Sequence, residues 1–360
     1  ARMNTDGRTA ELAGILLDEH TAALITSPVS KRYLCGWGCE DGVILLTKSE
    51  CLYIVSGLYF EQAKALAHDC TVVRMDDISG ELLDMLFRYD IRCIAAEAEH
   101  ITVSELAAYR GMLNYTEVQA SQKLSDTISA MRMVKSREEV ELIAAAQNIA
   151  DRAFERLLGR IRKGMTEKRV AAMLACSLLE CGAEELAGRI IAASGKNSAC
   201  PCAVPTDREI CDGDMLVLDF GAKYGGYCAR MARTLAVGRI PRAQEEAYNA
   251  VYCAGHDALK ALRTGVNAKV ADSVARSTLN AWGADKYFTH GLGSGVGMEP
   301  HELPDISRKS TAMLRAGMVV SVGPAVYIPE MYGVRIKAMA EVTENGCNIL
   351  SGTTTNLIRI

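Results

Sequence analysis

Glycine occupies every second position of His290-Gly-Leu-Gly-Ser-Gly-Val-Gly297, and a second tract, Val217-Leu-Asp-Phe-Gly-Ala222, sets an aspartate inside an apolar run. Backbone without side chains can approach other backbone closely, so the alternate glycines read as a segment packed tightly against its neighbours. They do not spell a dinucleotide fingerprint. Gly291-Leu-Gly293 is followed three residues later by Val296, so the required glycine spacing fails and no nucleotide is inferred.

Four more segments belong with these two tracts: Cys228-Ala-Arg-Met-Ala-Arg-Thr234, His301-Glu-Leu-Pro304, Ser321-Val-Gly-Pro-Ala325 and Gly333-Val-Arg-Ile-Lys337. Together the six resemble the prolidase, aminopeptidase P and creatinase family, whose catalytic domain has the pita-bread fold. The resemblance spans nearly the whole chain. It implies an α/β creatinase-like N-terminal domain over residues 1–130 and an α+β pita-bread domain over 131–360. Peptidases of that family hold two divalent metals between five ligands. Asp219 matches the first, an aspartate. At the other four positions, where the family has aspartate, histidine and two glutamates, this chain has Arg230, Ser294, Gly323 and Lys337.

Two divalent ions about 3.5–4 Å apart need several hard anionic oxygens or imidazoles to offset their charge. Glycine offers no donor, and Arg and Lys add repulsion where the ions would sit. The expectation is therefore no metal and no other cofactor. In their place Asp219 faces the fixed cations Arg230 and Lys337, with Arg335 close by. Asp219 is expected to satisfy one of them and to leave a positive pocket for a small anionic or peptide-like ligand, with Arg335 as a planar clamp and Ser294 in the wall. The alternative is a salt-bridge network in which Asp219, Arg230 and Lys337 neutralise one another.

Candidate catalytic groups are fewer. Cys202, in Ser194-Gly-Lys-Asn-Ser-Ala-Cys-Pro-Cys-Ala-Val-Pro205, stands where the family has a histidine that serves creatinase as its catalytic group. A Cys202 thiolate would be a nucleophile if His290 or His301 lowered its pKa; otherwise it is a small replacement in the wall. The Cys-Pro-Cys pair has no further ligands for a soft metal. His290 and His301 match family positions that touch substrate, against a role in holding the Gly-rich turn. Three readings stay open: a catalytically silent Xaa-Pro dipeptidase homologue that binds a small anionic or peptide-like ligand or a protein partner, a metal-independent hydrolase or lyase, and an Xaa-Pro peptidase with an atypical metal arrangement.

Net charge is −4 with no basic cluster, so nucleic acid is not an expected partner. No apolar run approaches the roughly 18 residues of a membrane span, and the N-terminus lacks the pattern of a secretory signal, which gives a cytoplasmic expectation. The 13 cysteines are scattered and read as reduced core residues. The resemblance also implies a homodimer.

The periodicity predicts helices over 8–20, 59–68, 79–89 and 103–113, alternating with strands over 22–26, 42–47, 51–55, 71–75 and 92–97. Ser136-Arg-Glu-Glu139 has the form of a capping box opening a long helix through Val140, Ile143, Ala146, Ala150, Phe154 and Leu157. Gly159 is not expected to stop that helix, and Gly164 is. Further helices are expected from Thr166 to Cys181, ended by Gly182, and over 242–262 and 268–281.

Overall fold

The structure, a computed structural model, describes Thr5, residues 7–75 and residues 78–360, the side chains at 78, 79 and 81 excepted. It divides into two compact units, Ala1–Arg132 and Met133–Ile360. In the first, six strands lie in the order Thr71–Met75, Cys51–Ser56, Val43–Leu46, Thr21–Ile25, Cys93–Glu97, Glu117–Ser121. Thr21–Ile25 runs antiparallel to Val43–Leu46 and parallel to Cys93–Glu97. The central strands are buried on both faces, as near-continuous apolar runs require.

Two local expectations change here. The first helix spans Arg8–Leu16 and ends before residue 20, with Leu17 extended. Asp18 turns back on the chain, its carboxylate accepting the His20 N–H at 2.9 Å, which offers the backbone an alternative to another helical turn. A helix not anticipated forms at Pro28–Cys35. Its signals were present: the Ser27 hydroxyl accepts the Ser30 N–H, Pro28 starts the first turn, and Gly36 closes it at φ +75°.

The second unit opens on the helix Arg137–Leu158. The Ser136 side chain accepts the Glu139 N–H while Glu139 accepts the Ser136 N–H, so the reciprocal cap is present. Ile143, Ala146, Ala150, Phe154 and Leu157 form its buried stripe, and the last three share one core with Leu174, Leu178 and Phe220. The helix ends at Leu158 with Gly159 as its cap, contrary to expectation. The Arg162 guanidinium bonds the carbonyls of Gly159 and Ile161, satisfying acceptors that a longer helix would have used. The next helix, Glu167–Glu180, is capped by the Thr166 hydroxyl.

Four strands follow in the order Ile358–Arg359, Met231–Ala236, Met215–Phe220, Ile191–Ser194, and five in the order Glu302–Ile306, Gly293–Gly295, Val319–Val322, Ala338–Val342, Cys347–Ile349. An Ala232–Lys337 bridge links the first set to the segment between Tyr332–Arg335 and Ala338–Val342. The helices Arg242–Ala261 and Ala268–Ala281 pack together; their Ala250, Ala254, Ala271 and Ala275 share a core with Val320 and Val334. The alternate glycines find their reason in this layout. A Cβ on Gly293 would overlap the Ser321 carbonyl, and one on Gly295 the Leu303 carbonyl.

Arg233 ties the layers together although it is only 1% exposed. Its guanidinium donates to the carbonyls of Ala232, Lys337, Thr353 and Thr354 and to the Thr353 hydroxyl. A buried cation with this many donors spent on carbonyls cannot be removed without orphaning several of them. Arg233→Met should lower stability by about 3–5 kcal/mol, read as a drop in the denaturant midpoint of the second unit. A change under about 1 kcal/mol would show that those carbonyls find other partners.

Candidate functional site

Strand register sets the centre of the site. Asp219 lies opposite Ala232, and Ala232 lies opposite Lys337, so the three share one face across neighbouring strands. The small Ala232 leaves the Lys337 side chain free to cross to Asp219, where Nζ meets Oδ2 at 2.8 Å and Oδ1 at 3.1 Å. Arg335 Nη1 reaches Oδ2 at 2.8 Å, and Arg230 Nη2 stands 3.4 Å from Oδ1. The Thr234 hydroxyl brackets Arg335, accepting its N–H and donating to its carbonyl. Asp219 thus meets three cations at once, where the sequence reading had it satisfy one of them or, in the alternative, neutralise Arg230 and Lys337 together.

Gly323 and Lys337 fit each other. A Cβ at residue 323 would lie 3.2 Å from both Cγ and Cε of Lys337, so the aliphatic stem of the lysine occupies the space a side chain there would need. Charge follows the same logic. Burial opposes ionisation of Asp219, but Lys337, then Arg335 and Arg230, outweigh it and hold its pKa well below the usual carboxylate range. Burial, then Arg335, push the Lys337 ammonium well below its ordinary pKa against the pull of Asp219. Burial opposes the charged form of Arg335, but Asp219, then Tyr327 and Cys202, together outweigh it and raise its pKa. Guanidinium does not lose its proton in proteins. Arg230 and Arg335 therefore leave one positive charge beyond Asp219 whatever the state of Lys337.

These side chains border a cavity of about 280 Å³, which Arg230 lines and does not fill. Cys202, His290, Ser294, His301, Asp305, Ser321, Arg335 and Lys337 also contribute to its wall, while Asp219, 2% exposed, lies sealed behind the cations. Ser294 Oγ donates to the Gly295 carbonyl at 3.0 Å, so at 2.8 Å it accepts from His301 Nδ1. His301 is more exposed, and burial, then Arg230 and Lys337, lower its pKa. His290 Nδ1 donates to the Gly291 carbonyl at 2.7 Å, and its ring is held between Phe288 and Tyr327. Burial brings its pKa down to about 4, with Arg335, Lys337 and Arg276 adding to the effect.

The sequence reading missed the supports of the Gly-rich tract. Asp272, fully buried in the helix Ala268–Ala281, accepts the Leu292 N–H at 3.0 Å and pairs with Arg276 at 2.7 Å. Arg276 in turn donates to the carbonyls of Phe288 and His290. The i, i+4 spacing of Asp272 and Arg276 was the available signal. Ser321, Tyr327 and Asp305 were also missed. Lys135 and Glu302 form a buried pair at 2.6 Å beside His301. Cys202 lines the cavity and is exposed; among the described residues no hydrogen bond joins it to His290 or His301. Among the described residues no group of three or more His, Cys, Asp or Glu side chains is arranged to hold a metal ion.

The layout is that of a creatinase-type N-terminal domain followed by a pita-bread domain. Residues 17–134 match the creatinase/prolidase N-terminal domain, and residues 141–344 match metallopeptidase family M24. An Xaa-Pro dipeptidase of Pyrococcus furiosus is 33% identical over 348 residues, 95% of this chain and 97% of that one. The solved structure of an Xaa-Pro dipeptidase from Bacillus anthracis superposes with a TM-score of 0.94 at 31% identity, covering 99% of this chain and all of that one. The prolidase of Pyrococcus horikoshii gives 0.91 at 32%, over 98% and 100%. This chain belongs to family M24. Among the described residues no helix is long and apolar enough to cross a membrane.

Removing the shared carboxylate should be costly. Asp219→Asn leaves three cations facing one another and should destabilise the second unit by about 3–5 kcal/mol at neutral pH. Because the folded pKa of Asp219 is depressed below the unfolded value of about 3.9, its stabilisation is complete above that value and is lost as the pH falls toward the folded pKa. The stability gap between wild type and variant, measured by denaturant titration, should narrow below about pH 4.

Proposed function

We propose that this Xaa-Pro dipeptidase-like chain is not a dinuclear metallopeptidase, and that its cavity binds a small anionic or peptide-like molecule through Arg230 and Arg335. The carrying observation is that three cations meet the single carboxylate Asp219 at the edge of an open cavity. Family metals do not fit this donor set. Of the positions matched to metal ligands only Asp219 carries a carboxylate, and Lys337 Nζ already sits 2.8 Å from one of its oxygens. The Lys337 stem fills the space beside Gly323, and Ser294 Oγ is engaged by His301 and Gly295. Two divalent ions would add positive charge to a centre that already has a surplus.

An anion meets the opposite situation. Arg335 Nε is buried without a hydrogen-bond partner, and its planar guanidinium can present a second N–H edge to a carboxylate. The cavity, near the lower end of the roughly 300–1,000 Å³ usual for small-molecule sites, suits a compact guest. The relatives named Xaa-Pro dipeptidases are the source of the peptide-like alternative. With no base hydrogen-bonded to Cys202, thiol catalysis gains no support from the geometry.

Two measurements check the reading. The purified protein, dialysed against Mn, Co or Zn and then against metal-free buffer, should retain no stoichiometric metal and should not cleave Xaa-Pro dipeptides. Two retained ions per chain with cleavage would overturn the proposal. Calorimetry with acetate, propionate and succinate should detect binding that weakens with salt. Arg335→Lys, which keeps the charge but loses the planar fork, should weaken it about tenfold or more.

A further inference from the structure

The same cavity presents hydrogen-bond acceptors as well as cations, and they restrict its guest further. His290 Nδ1 must donate, because the Gly291 carbonyl it meets can only accept. In the neutral ring, Nε2 is then a lone-pair acceptor, and this nitrogen is buried without a partner. The ring is in edge contact with Phe288 and in tilted contact with Tyr327, and Arg276 holds the His290 carbonyl. Ser321 Oγ, opposite Ser294 in the strand pairing and also lining the cavity, is a second buried polar atom left unpaired. Burying such atoms without partners costs about 1–3 kcal/mol each, and with Arg335 Nε all three belong to residues that line the cavity.

We infer that the guest is a small carboxylate that also carries a neutral hydrogen-bond donor, a hydroxyl or a secondary amide N–H, which it gives to His290 Nε2. This rests on the anion-binding reading above and names its ligand class. The carboxylate goes to Arg230 and Arg335. The donor is neutral because Arg276, Arg335 and Lys337 all exert positive potential on His290, so an ammonium there would meet repulsion. A tertiary amide, such as the one preceding proline in a dipeptide, has no N–H and would leave His290 unpaired. The class is therefore hydroxy acids and N-acylated amino acids of small size.

Matched probes test this on the unsubstituted protein by calorimetry. Lactate is compared with 2-methoxypropionate and with alanine, and N-acetylglycine with N-acetylsarcosine. In at least one set the neutral donor should bind about tenfold or more tightly than its methylated partner, the difference expected of one buried hydrogen bond. Lactate should also bind more tightly than alanine. His290→Phe, which keeps an aromatic ring beside Phe288 and Tyr327, should erase the preference. The inference falls if the methylated compounds match their partners in both sets, if alanine binds more tightly than lactate, or if the preference survives in His290→Phe. If no carboxylate binds at all, simple acids included, the anion-binding reading itself fails. That result differs from binding without donor preference, which sinks only the present inference.

Discussion

The second unit is organised around one buried carboxylate. Asp219 is almost inaccessible, yet Lys337, Arg335 and Arg230 all turn toward it. Charges this deep are tolerated only when paired and hydrogen-bonded, because desolvation costs several kcal/mol per ion. The fold meets that condition by register: adjacent strands bring Asp219, Ala232 and Lys337 onto one face, and Thr234 fixes the backbone of Arg335. One carboxylate cannot neutralise two permanent guanidiniums. The imbalance that remains is what gives the neighbouring cavity its affinity for negative charge in the proposed function.

Around this centre several parts depend on one another. Gly323 and Lys337 are closely fitted: a Cβ at residue 323 would stand 3.2 Å from Cγ and Cε of the lysine, whose stem would have to give by a few tenths of an ångström. Arg233 bonds the carbonyl of Lys337 and those of Thr353 and Thr354, connecting the cationic wall to the C-terminal segment. On the opposite wall, Asp272 and Arg276 hold the backbone of the Gly-rich tract from the helix behind it, and this orients His290. The cavity is thus kept open by backbone close-packing and buried hydrogen bonds within the chain.

Much of the fold was legible because its signals are local. The capping box at Ser136 and Glu139, the apolar stripe through Phe154 and the short apolar strands all express periodicity or side-chain chemistry that acts over a few residues. Errors arose where a local choice was decided by a less regular contact. Asp18 ended a helix by bonding the backbone ahead of it, and Arg162 supplied carbonyl partners that let another close at Gly159. The helix Pro28–Cys35 carried both of its boundary residues in the sequence, but it is too short to declare itself by periodicity.

The site divides in the same way. By itself, the sequence determined the family resemblance and the identities of Asp219, Arg230, Ser294, Gly323 and Lys337, because residue identity fixes which groups can ionise. Only the tertiary structure decided that all three cations share one carboxylate, that Ser294 engages His301, and that His290, Ser321 and Arg335 keep polar atoms unpaired beside an open cavity. Those facts depend on distances between residues as much as 118 positions apart, set by strand register and packing. Spacing along the chain does not encode them.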